Sequence, residues 1–222
     1  MSINVPYESP EDLPETIPVF PLEGALLLPR GEMPLNIFEP RYLQMIDDAF
    51  KGHRLIGMVQ PEGASDADVP RAALYGCGCV GRLTAFAESG DGRYIITLTG
   101  VARFRVVEEL NVDTPFRQCR VDFEPFRGDF EPGEGEDEVD RDGVVRTLRN
   151  FAKAHELTVD WRGIDGASNE ALVNALSMMS PFGPREKQAL LEAADLKSRA
   201  EVLIAIAEIE LARRESDSAG LQ

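Results

Sequence analysis

Residues 76–81 read Gly-Cys-Gly-Cys-Val-Gly, which fits the G-x-G-x-x-G spacing of dinucleotide-binding proteins. That spacing binds a pyrophosphate only when a helix follows, because the N-terminus of the helix faces the phosphates. Here residues 82–86 continue a strand pattern and show no helical stripe. We therefore predict that the glycines mark close strand crossings or bulges, and that no nucleotide cofactor binds there.

The cysteines of the same segment raise the question of a metal site. Cys77 and Cys79 would point to one face of a strand. A zinc site needs further ligands, and Cys119, His53 and His155 lie at no ligand-like spacing. We therefore predict buried thiols and no metal. Three cysteines, an odd number, predict no disulfide framework and fit a cytoplasmic protein.

Catalytic patterns are missing from the sequence. A phosphate-binding loop ends in Gly-Lys-Ser or Gly-Lys-Thr, and the chain contains no Gly-Lys pair. Only Lys197 adjoins a serine, and consecutive helical residues do not face each other, so no Ser–Lys nucleophile is indicated. The chain has two histidines and no G-x-S-x-G elbow for a hydrolase triad. The sequence therefore predicts no catalytic residue and no enzyme.

The most mixed aromatic and charged segment is the 38–42 corner, where a predicted strand turns into a predicted helix. Its side chains allow two interpretations. Phe38 could be a core residue, with Glu39 and Arg41 forming a surface ion pair. Alternatively, Phe38 and Tyr42 supply apolar area and Arg41 supplies hydrogen-bond donors to an extended peptide. We treat Phe38, Glu39, Arg41 and Tyr42 as candidate peptide-binding residues.

Two arginines farther along the chain have the same two interpretations. Arg103 and Arg105 alternate with apolar residues, which predicts that both point outward from a half-exposed strand. Arg103 joins the candidate peptide-binding residues. Trp161 is interpreted as an anchor of the helical part, in a short loop between helices.

Charge excludes several kinds of partner. The chain of 222 residues has 23 Lys and Arg against 39 Asp and Glu, a formal net charge of −16. Such an acidic protein is repelled by nucleic-acid phosphates and by anionic membranes.

The longest aliphatic runs, 25–28 and 202–207, are far shorter than the ~20 residues that cross a bilayer. The first basic residue is Arg30, so no targeting signal is expected at the N-terminus.

The elements that would position these residues change character along the chain. Short apolar runs at 17–20, 25–28, 33–38 and 55–59 predict buried strands, and Pro40 is placed to begin a helix that Gly52 ends. Later the spacing becomes helical, with Ser168, Pro184 and Asp195 at predicted helix starts. The predicted division is a tail at 1–15, a β domain at 16–125, an acidic linker at 126–138, a helical bundle at 139–215 and a tail at 216–222.

The order of several short motifs resembles the N-terminal, substrate-binding domain of Lon proteases. The resemblance covers about residues 15–213 and is carried by residues 17–22 (Ile-Pro-Val-Phe-Pro-Leu), 28–31 (Leu-Pro-Arg-Gly), 33–42 (Met-Pro-Leu-Asn-Ile-Phe-Glu-Pro-Arg-Tyr), 56–59, 78–83, 98–107, 179–182 (Met-Ser-Pro-Phe) and 186–192. It implies an α+β fold with a PUA-like β pseudo-barrel followed by a helical bundle. It also implies binding of unfolded polypeptide or a protein partner, as in a free-standing domain without the Lon ATPase and protease. Two alternatives stay open: an RNA-binding PUA-like module, and an accessory component of an ATP-dependent protease.

The sequence generates a first prediction, which concerns catalysis. Without a phosphate loop or a paired nucleophile, the purified chain should neither hydrolyse ATP nor cleave unfolded casein. Phosphate release and gel electrophoresis measure the two activities. Cleavage that survives repurification and disappears when one serine is replaced would contradict the prediction.

Overall fold

A computed structural model describes residues 6–63, 72–156, 158 and 160–219. The chain divides into two units, Met1–Pro132 and Gly133–Gln222. Residues 1–5 and 220–222, in the two predicted tails, lie outside the described residues. Within the described part, no helix is long and apolar enough to cross a membrane.

The first unit is built on a mixed sheet that closes on itself. Strand β1 pairs parallel with β3, and the other pairings are antiparallel. The order is β2-β5-β4-β3-β1-β6, and β6 also pairs with the second half of β5. The closed ring therefore contains every described strand except β2. The six strands described are β1 (Thr16–Pro21), β2 (Glu32–Ile37), β3 (Leu55–Pro61), β4 (Leu74–Glu88), β5 (Tyr94–Glu109) and β6 (Arg117–Asp122).

One helix, α1 (Pro40–Lys51), belongs to this unit and begins and ends where the sequence predicts. Its apolar stripe is buried, and Met45 and Ile46 are fully inaccessible to solvent.

The hairpin predicted at 89–92 also forms, because Gly90 and Gly92 adopt positive φ and the Ser89 N–H donates to the Arg93 carbonyl at 3.1 Å. The 25–28 run, by contrast, is a buried loop, since no strand includes it.

The glycines of the 76–81 segment make room for the core. An added Cβ at Gly78 would overlap the ring of Phe104, and one at Gly57, on the neighbouring strand, would lie 2.8 Å from Ile17 Cδ1. The register between β4 and β5 shifts at Gly81, which marks a bulge. Strand β4 runs through the whole motif with no helix after it. Gly78 therefore lies at a close strand crossing and Gly81 at a bulge, as predicted.

A buried ion pair orders part of the segment predicted as a solvated linker. The Arg103 and Asp129 side chains are only 5% and 8% exposed, and Arg103 Nη2 lies 2.7 Å from Asp129 Oδ1. The carboxylate also accepts the Arg103 main-chain N–H at 2.8 Å. Asp129 belongs to a 3₁₀ helix, Glu124–Phe130, whose Phe126 ring lies 4.6 Å from the guanidinium. Residues 126–130 are thus packed against β5, because a buried guanidinium needs a charged partner.

The rest of the predicted linker is also ordered, within the second unit. A 3₁₀ helix spans Glu136–Glu138. Glu136 Oε1 accepts the Glu170 main-chain N–H at 2.7 Å, and the Glu136 carbonyl accepts Asn169 Nδ2 at 2.9 Å. These bonds place a carboxylate at the N-terminus of a helix, where the exposed N–H groups and the dipole favour it.

The predicted N-terminal tail is ordered as well, over its described residues. A 3₁₀ turn at Pro10–Asp12 precedes Leu13, which is buried in the barrel core. The Tyr7 hydroxyl donates to the His53 carbonyl at 3.0 Å. Tyr7 and Leu13 therefore attach this segment to the barrel core. From its prolines and carboxylates, the same segment was predicted to be a loose tail.

The second unit is helical, with the helices starting largely as predicted. Ser168 caps one helix by accepting the Ala171 N–H, and Asp195 accepts the Ser198 N–H at 2.7 Å. Trp161 lies in a short helix and not in a loop, because Asp160 caps that turn. The helix at the C-terminus continues through the predicted tail to Ala219. The described helices are α2 (Arg141–Ala154), α3 (Trp161–Gly166), α4 (Asn169–Met179), α5 (Pro184–Glu192) and α6 (Leu196–Ala219).

A buried arginine joins three of these helices. Arg199 on α6 donates from Nε to the Leu190 carbonyl of α5, and from Nη1 to Asn174 Oδ1 of α4, both at 3.0 Å. Both bonds are buried, so each is stronger than a comparable surface contact. The bundle is therefore fixed by a polar network as well as by apolar packing.

The buried pair in the barrel generates a second prediction. Asp129→Ala leaves the Arg103 guanidinium buried without its carboxylate, so the free energy of unfolding should fall by roughly 3–5 kcal/mol. The near-UV circular dichroism of the tyrosines measures this, because all four tyrosines lie in the first unit and the single tryptophan lies in the second.

A matched control is Glu124→Ala in the same 3₁₀ helix. It removes one of two exposed carboxylate partners of Arg127, the other being Glu11, and exposed pairs contribute little to stability. Equal effects of the two substitutions would show that the buried pair does not hold the 124–130 segment.

Candidate polypeptide-binding surface

The 38–42 corner lies where β2 ends and α1 begins. Phe38 directly follows β2 and its residue is 62% exposed. Its interpretation as a core residue is therefore wrong. Glu39 is the residue before the helix, and its side chain makes no capping bond to the main chain. Phe38 is thus a large apolar ring held at the surface by rigid elements on both sides.

The charged residues of the corner pair with each other, as one of the two interpretations predicts. Arg41 Nη2 lies 2.8 Å from Glu39 Oε2, and the Arg41 side chain is 51% exposed. Its guanidinium also lies 4.5 Å from the centre of the Tyr42 ring. Tyr42 is buried against Phe20, at 4.2 Å between ring centres, and burial raises the pKa of its hydroxyl. Arg41 is therefore available at the surface, whereas Tyr42 holds α1 on the barrel.

The structure brings three further aromatic residues near the corner. The rings of Phe50 and Phe86, and those of Phe86 and Tyr94, each lie 4.9 Å apart in edge-to-face geometry. Phe86 is 42% exposed. The Tyr94 hydroxyl donates to Asp47 Oδ1 at 3.0 Å, and this hydrogen bond raises the pKa of Tyr94. The hydrogen bond to α1 fixes the Tyr94 ring beside Phe86.

Strand register connects the corner with these rings. Ile37, the residue before Phe38, is paired with Tyr94, and Asn36 is paired with Ile95. Ile95 is 51% exposed on the face of the sheet that turns away from α1. Ile95 is therefore left out of the group that we name the aromatic rim: Phe38, Phe50, Phe86 and Tyr94.

Guanidinium groups accompany the exposed rings. Arg93 lies 5.9 Å from the centre of the Phe38 ring, and Arg54 lies 5.4 Å from that of Phe50. Both distances fall within the range of cation–π attraction. The aromatic rim therefore combines apolar area with hydrogen-bond donors, which is the composition enriched in protein interfaces.

Sequence reasoning missed Phe50, Phe86 and Tyr94 as surface residues. Across the hairpin predicted at 89–92, the structure pairs Glu88 with Tyr94. Counting back two residues along β4 would have placed Phe86 on the same face as Glu88. No comparable signal predicts Phe50, because the contact depends on how α1 crosses the sheet.

Arg103, the fifth candidate, lies elsewhere. Its strand position does point away from the barrel core, as predicted, but the 124–130 segment covers it and its guanidinium is bound to Asp129. The side chain offers no donor at the surface near the aromatic rim. We therefore leave Arg103 out of the candidate surface.

The remaining chemical candidates stay apart from the rim. The thiols of Cys77, Cys79 and Cys119 are buried. Within the described part of the chain, no three side chains of His, Cys, Asp or Glu come together to hold a metal ion. The described geometry of the rim is thus suited to contact with a polymer and offers no reacting group.

Comparison with known families decides the assignment. The model of the ATP-dependent protease La (LON) substrate-binding domain matches residues 16–208, which is most of the chain. The chain belongs to the LON substrate-binding domain family. The resemblance carried by the short motifs is therefore confirmed.

Lon proteases are similar to this LON domain over most of its length. Lon protease 2 of Myxococcus xanthus is 30% identical over 200 residues, which is 87% of this chain and 24% of that protein. Lon protease of Anaeromyxobacter dehalogenans is 26% identical over 203 residues. The chain spans about a quarter of the length of the curated relatives it matches.

Solved structures confirm the fold. The Lon N-terminal domain protein of Xanthomonas campestris aligns with a TM-score of 0.59 at 23% identity, covering 86% of this chain and 97% of that one. The N-terminal domain of the Mycobacterium avium complex Lon protease aligns with a TM-score of 0.62 at 15% identity, covering 87% and 98%. The predicted α+β class, a β pseudo-barrel followed by a helical bundle, is therefore correct.

The corner of this LON domain generates a third prediction, on stability. Arg41→Ala should change the free energy of unfolding by no more than about 0.5 kcal/mol, because the side chain is half exposed. Tyr42→Ala should cost roughly 3 kcal/mol or more, because its ring fills a buried site. Urea denaturation followed by tyrosine circular dichroism measures both. A large loss for Arg41→Ala would make the arginine a structural residue.

Proposed function

We propose that this chain binds exposed apolar segments of unfolded polypeptides through the aromatic rim and the 38–42 corner. In this proposal it is a substrate-binding or adaptor domain with no catalytic activity of its own. The observation that carries the proposal is the exposure of Phe38, a large apolar residue of the rim that is 62% exposed. Membership of a substrate-binding domain family supports the same conclusion.

Unfolded chains suit this surface for a physical reason. They expose aliphatic and aromatic side chains that a folded protein buries, and burying those against Phe38 and Phe86 removes apolar area from water on both partners. The rings and β-strands of the rim are already ordered. Binding therefore costs little conformational entropy on this side.

The sequence supports a non-enzymatic role. It contains no Gly-Lys pair for a phosphate loop, and Lys197–Ser198 is its single Lys–Ser neighbour pair. Hydrolysis of ATP or of a bound polypeptide would then depend on residues outside this sequence. In this proposal the domain delivers the polypeptide and carries out no reaction.

RNA could in principle stack on the same rings and arginines. Two observations favour polypeptide. The net charge of −16 repels phosphates. In addition, Arg41 and Arg93 already pair with the carboxylates of Glu39 and Asp91. Phosphate binding would have to replace these pairs without any gain from releasing counterions.

The fourth prediction tests the proposed surface with carboxymethylated α-lactalbumin, a protein that stays unfolded. Phe38→Ser should raise its dissociation constant at least about fivefold, and Arg41→Ala should raise it by a similar factor, the loss typical of interface residues that contribute to binding. Isothermal titration calorimetry measures both. Thermal unfolding should be nearly unchanged, because both side chains are exposed.

The matched controls are Val107→Ser in the barrel and Ile209→Ser on α6, since both replace exposed aliphatic residues that are not part of the rim. They should bind like the wild type. Equal affinity of wild type and both corner variants would remove the corner from the surface. Equal losses in the controls would indicate unspecific adhesion.

A further inference from the structure

A cavity of about 230 Å³ opens in the first unit at the C-terminal end of α1. It lies between the last turn of α1, the start of β1 and the start of β6. The proposed binding at the aromatic rim and the 38–42 corner does not involve this cavity. Its lining includes Ile17, Met45, Gly52, Arg54, Leu55 and Phe116.

The inner part of the cavity is apolar. Ile17 and Met45 are fully buried, and Leu55 and Phe116 are at most 5% exposed. No charged group in the lining is buried to that degree. An ionised ligand group would lose its hydration against such a wall without a partner, so the inner part is suited to an uncharged apolar group.

The opening of the cavity is polar. The Gln118 amide donates to Thr114 Oγ1 at 3.2 Å, and both residues line the cavity. Asp48 accepts Lys51 Nζ at 2.8 Å, and the last carbonyls of α1 end beside it. These acceptors are suited to the main-chain N–H groups of an extended peptide whose side chain enters the cavity.

Arg54 makes the cavity continuous with the aromatic rim. Its backbone is left-handed, with φ of 57°, which is uncommon for a residue other than glycine. Two hydrogen bonds hold this turn: the Arg54 N–H donates to Ala49 O at 3.0 Å, and Arg54 O accepts Leu83 N–H at 2.8 Å. The guanidinium stacks on Phe50 of the rim, while the residue also lines the cavity.

We propose that the cavity binds one large uncharged apolar side chain of a polypeptide whose neighbouring residues lie on the aromatic rim. The occupant is of the leucine, methionine or phenylalanine class. The volume of the cavity supports this, since it equals that of roughly seven water molecules in the liquid. The inference rests on the proposed function and adds a specificity pocket to it.

Gly52 offers a way to fill the cavity. An added Cβ there would meet only backbone oxygens, at 3.8 and 3.9 Å, and Gly52→Ala places the same Cβ on the same backbone. Gly52→Leu therefore fills the opening, whereas Gly52→Ala is too small to do so. Gly76→Leu is the matched control, because Gly76 is exposed on β4 with open space around its Cβ position.

The experiment combines affinity with a local reporter, the methyl group of Met45 at the cavity wall. Carboxymethylated α-lactalbumin is titrated into methyl-labelled protein, and a Met45→Leu variant assigns the signal. Wild type, Gly52→Ala and Gly76→Leu should bind alike, with a shifted Met45 signal. Gly52→Leu should bind at least about fivefold more weakly, with the Met45 signal unmoved.

The class of side chain is tested with N-acetyl-leucinamide, N-acetyl-alaninamide and N-acetyl-glutamate at equal concentrations. Only the leucine compound should shift the Met45 methyl signal, and Gly52→Leu should abolish that shift. Equal shifts from all three would overturn the assigned class.

The outcomes separate the two proposals. If α-lactalbumin binds with Met45 unmoved, or binds Gly52→Leu as tightly as the wild type, the pocket is overturned and the proposed function stands. If wild type does not bind α-lactalbumin at all, both are overturned. Unchanged tyrosine circular dichroism of Gly52→Leu shows that its loss of binding is not a loss of folding.

Discussion

The closed barrel depends on β5, because this strand pairs with three neighbours. Its first half lies between β2 and β4, and its second half between β4 and β6. The strand passes Gly100, where an added Cβ would overlap the Leu28 carbonyl. Gly100 exchanges hydrogen bonds of 2.8 Å with Arg30 and Gly31, so the loop before β2 is held directly against the strand.

The same strand carries the two side chains that organise the inside and the outside of the barrel. Phe104 fills the interior over Gly57 and Gly78, where no other residue type leaves enough space. Arg103, pointing the other way, binds Asp129 and fixes the 124–130 segment against the outer face. A buried guanidinium without this partner would be strongly unfavourable, so the acidic segment cannot remain a solvated linker.

The candidate surface lies at the sheet edge that is outside the closed ring of strands. Strand β2 lies outside the ring, and its end presents Phe38 beside Arg93. Pro34 lies in the middle of β2 and lacks an N–H, which makes this edge a poor template for an added strand. Recognition at this place is therefore expected to use side chains, and the rim and the α1 cavity offer them.

Local patterns in the sequence determined much of this protein: the start of α1 at Pro40, the 89–92 turn, the caps at Ser168 and Asp195, and the family itself. These features depend on neighbouring residues or on the order of motifs along the chain, so the sequence alone is enough to predict them. Tertiary structure alone decided that Arg103 is buried, that Phe38 is outside the core, and that Phe50 meets Phe86. Those outcomes depend on which distant segment packs over each side chain, as the segment of Asp129 packs over Arg103. The spacing of residues along the chain does not show which distant segments come into contact.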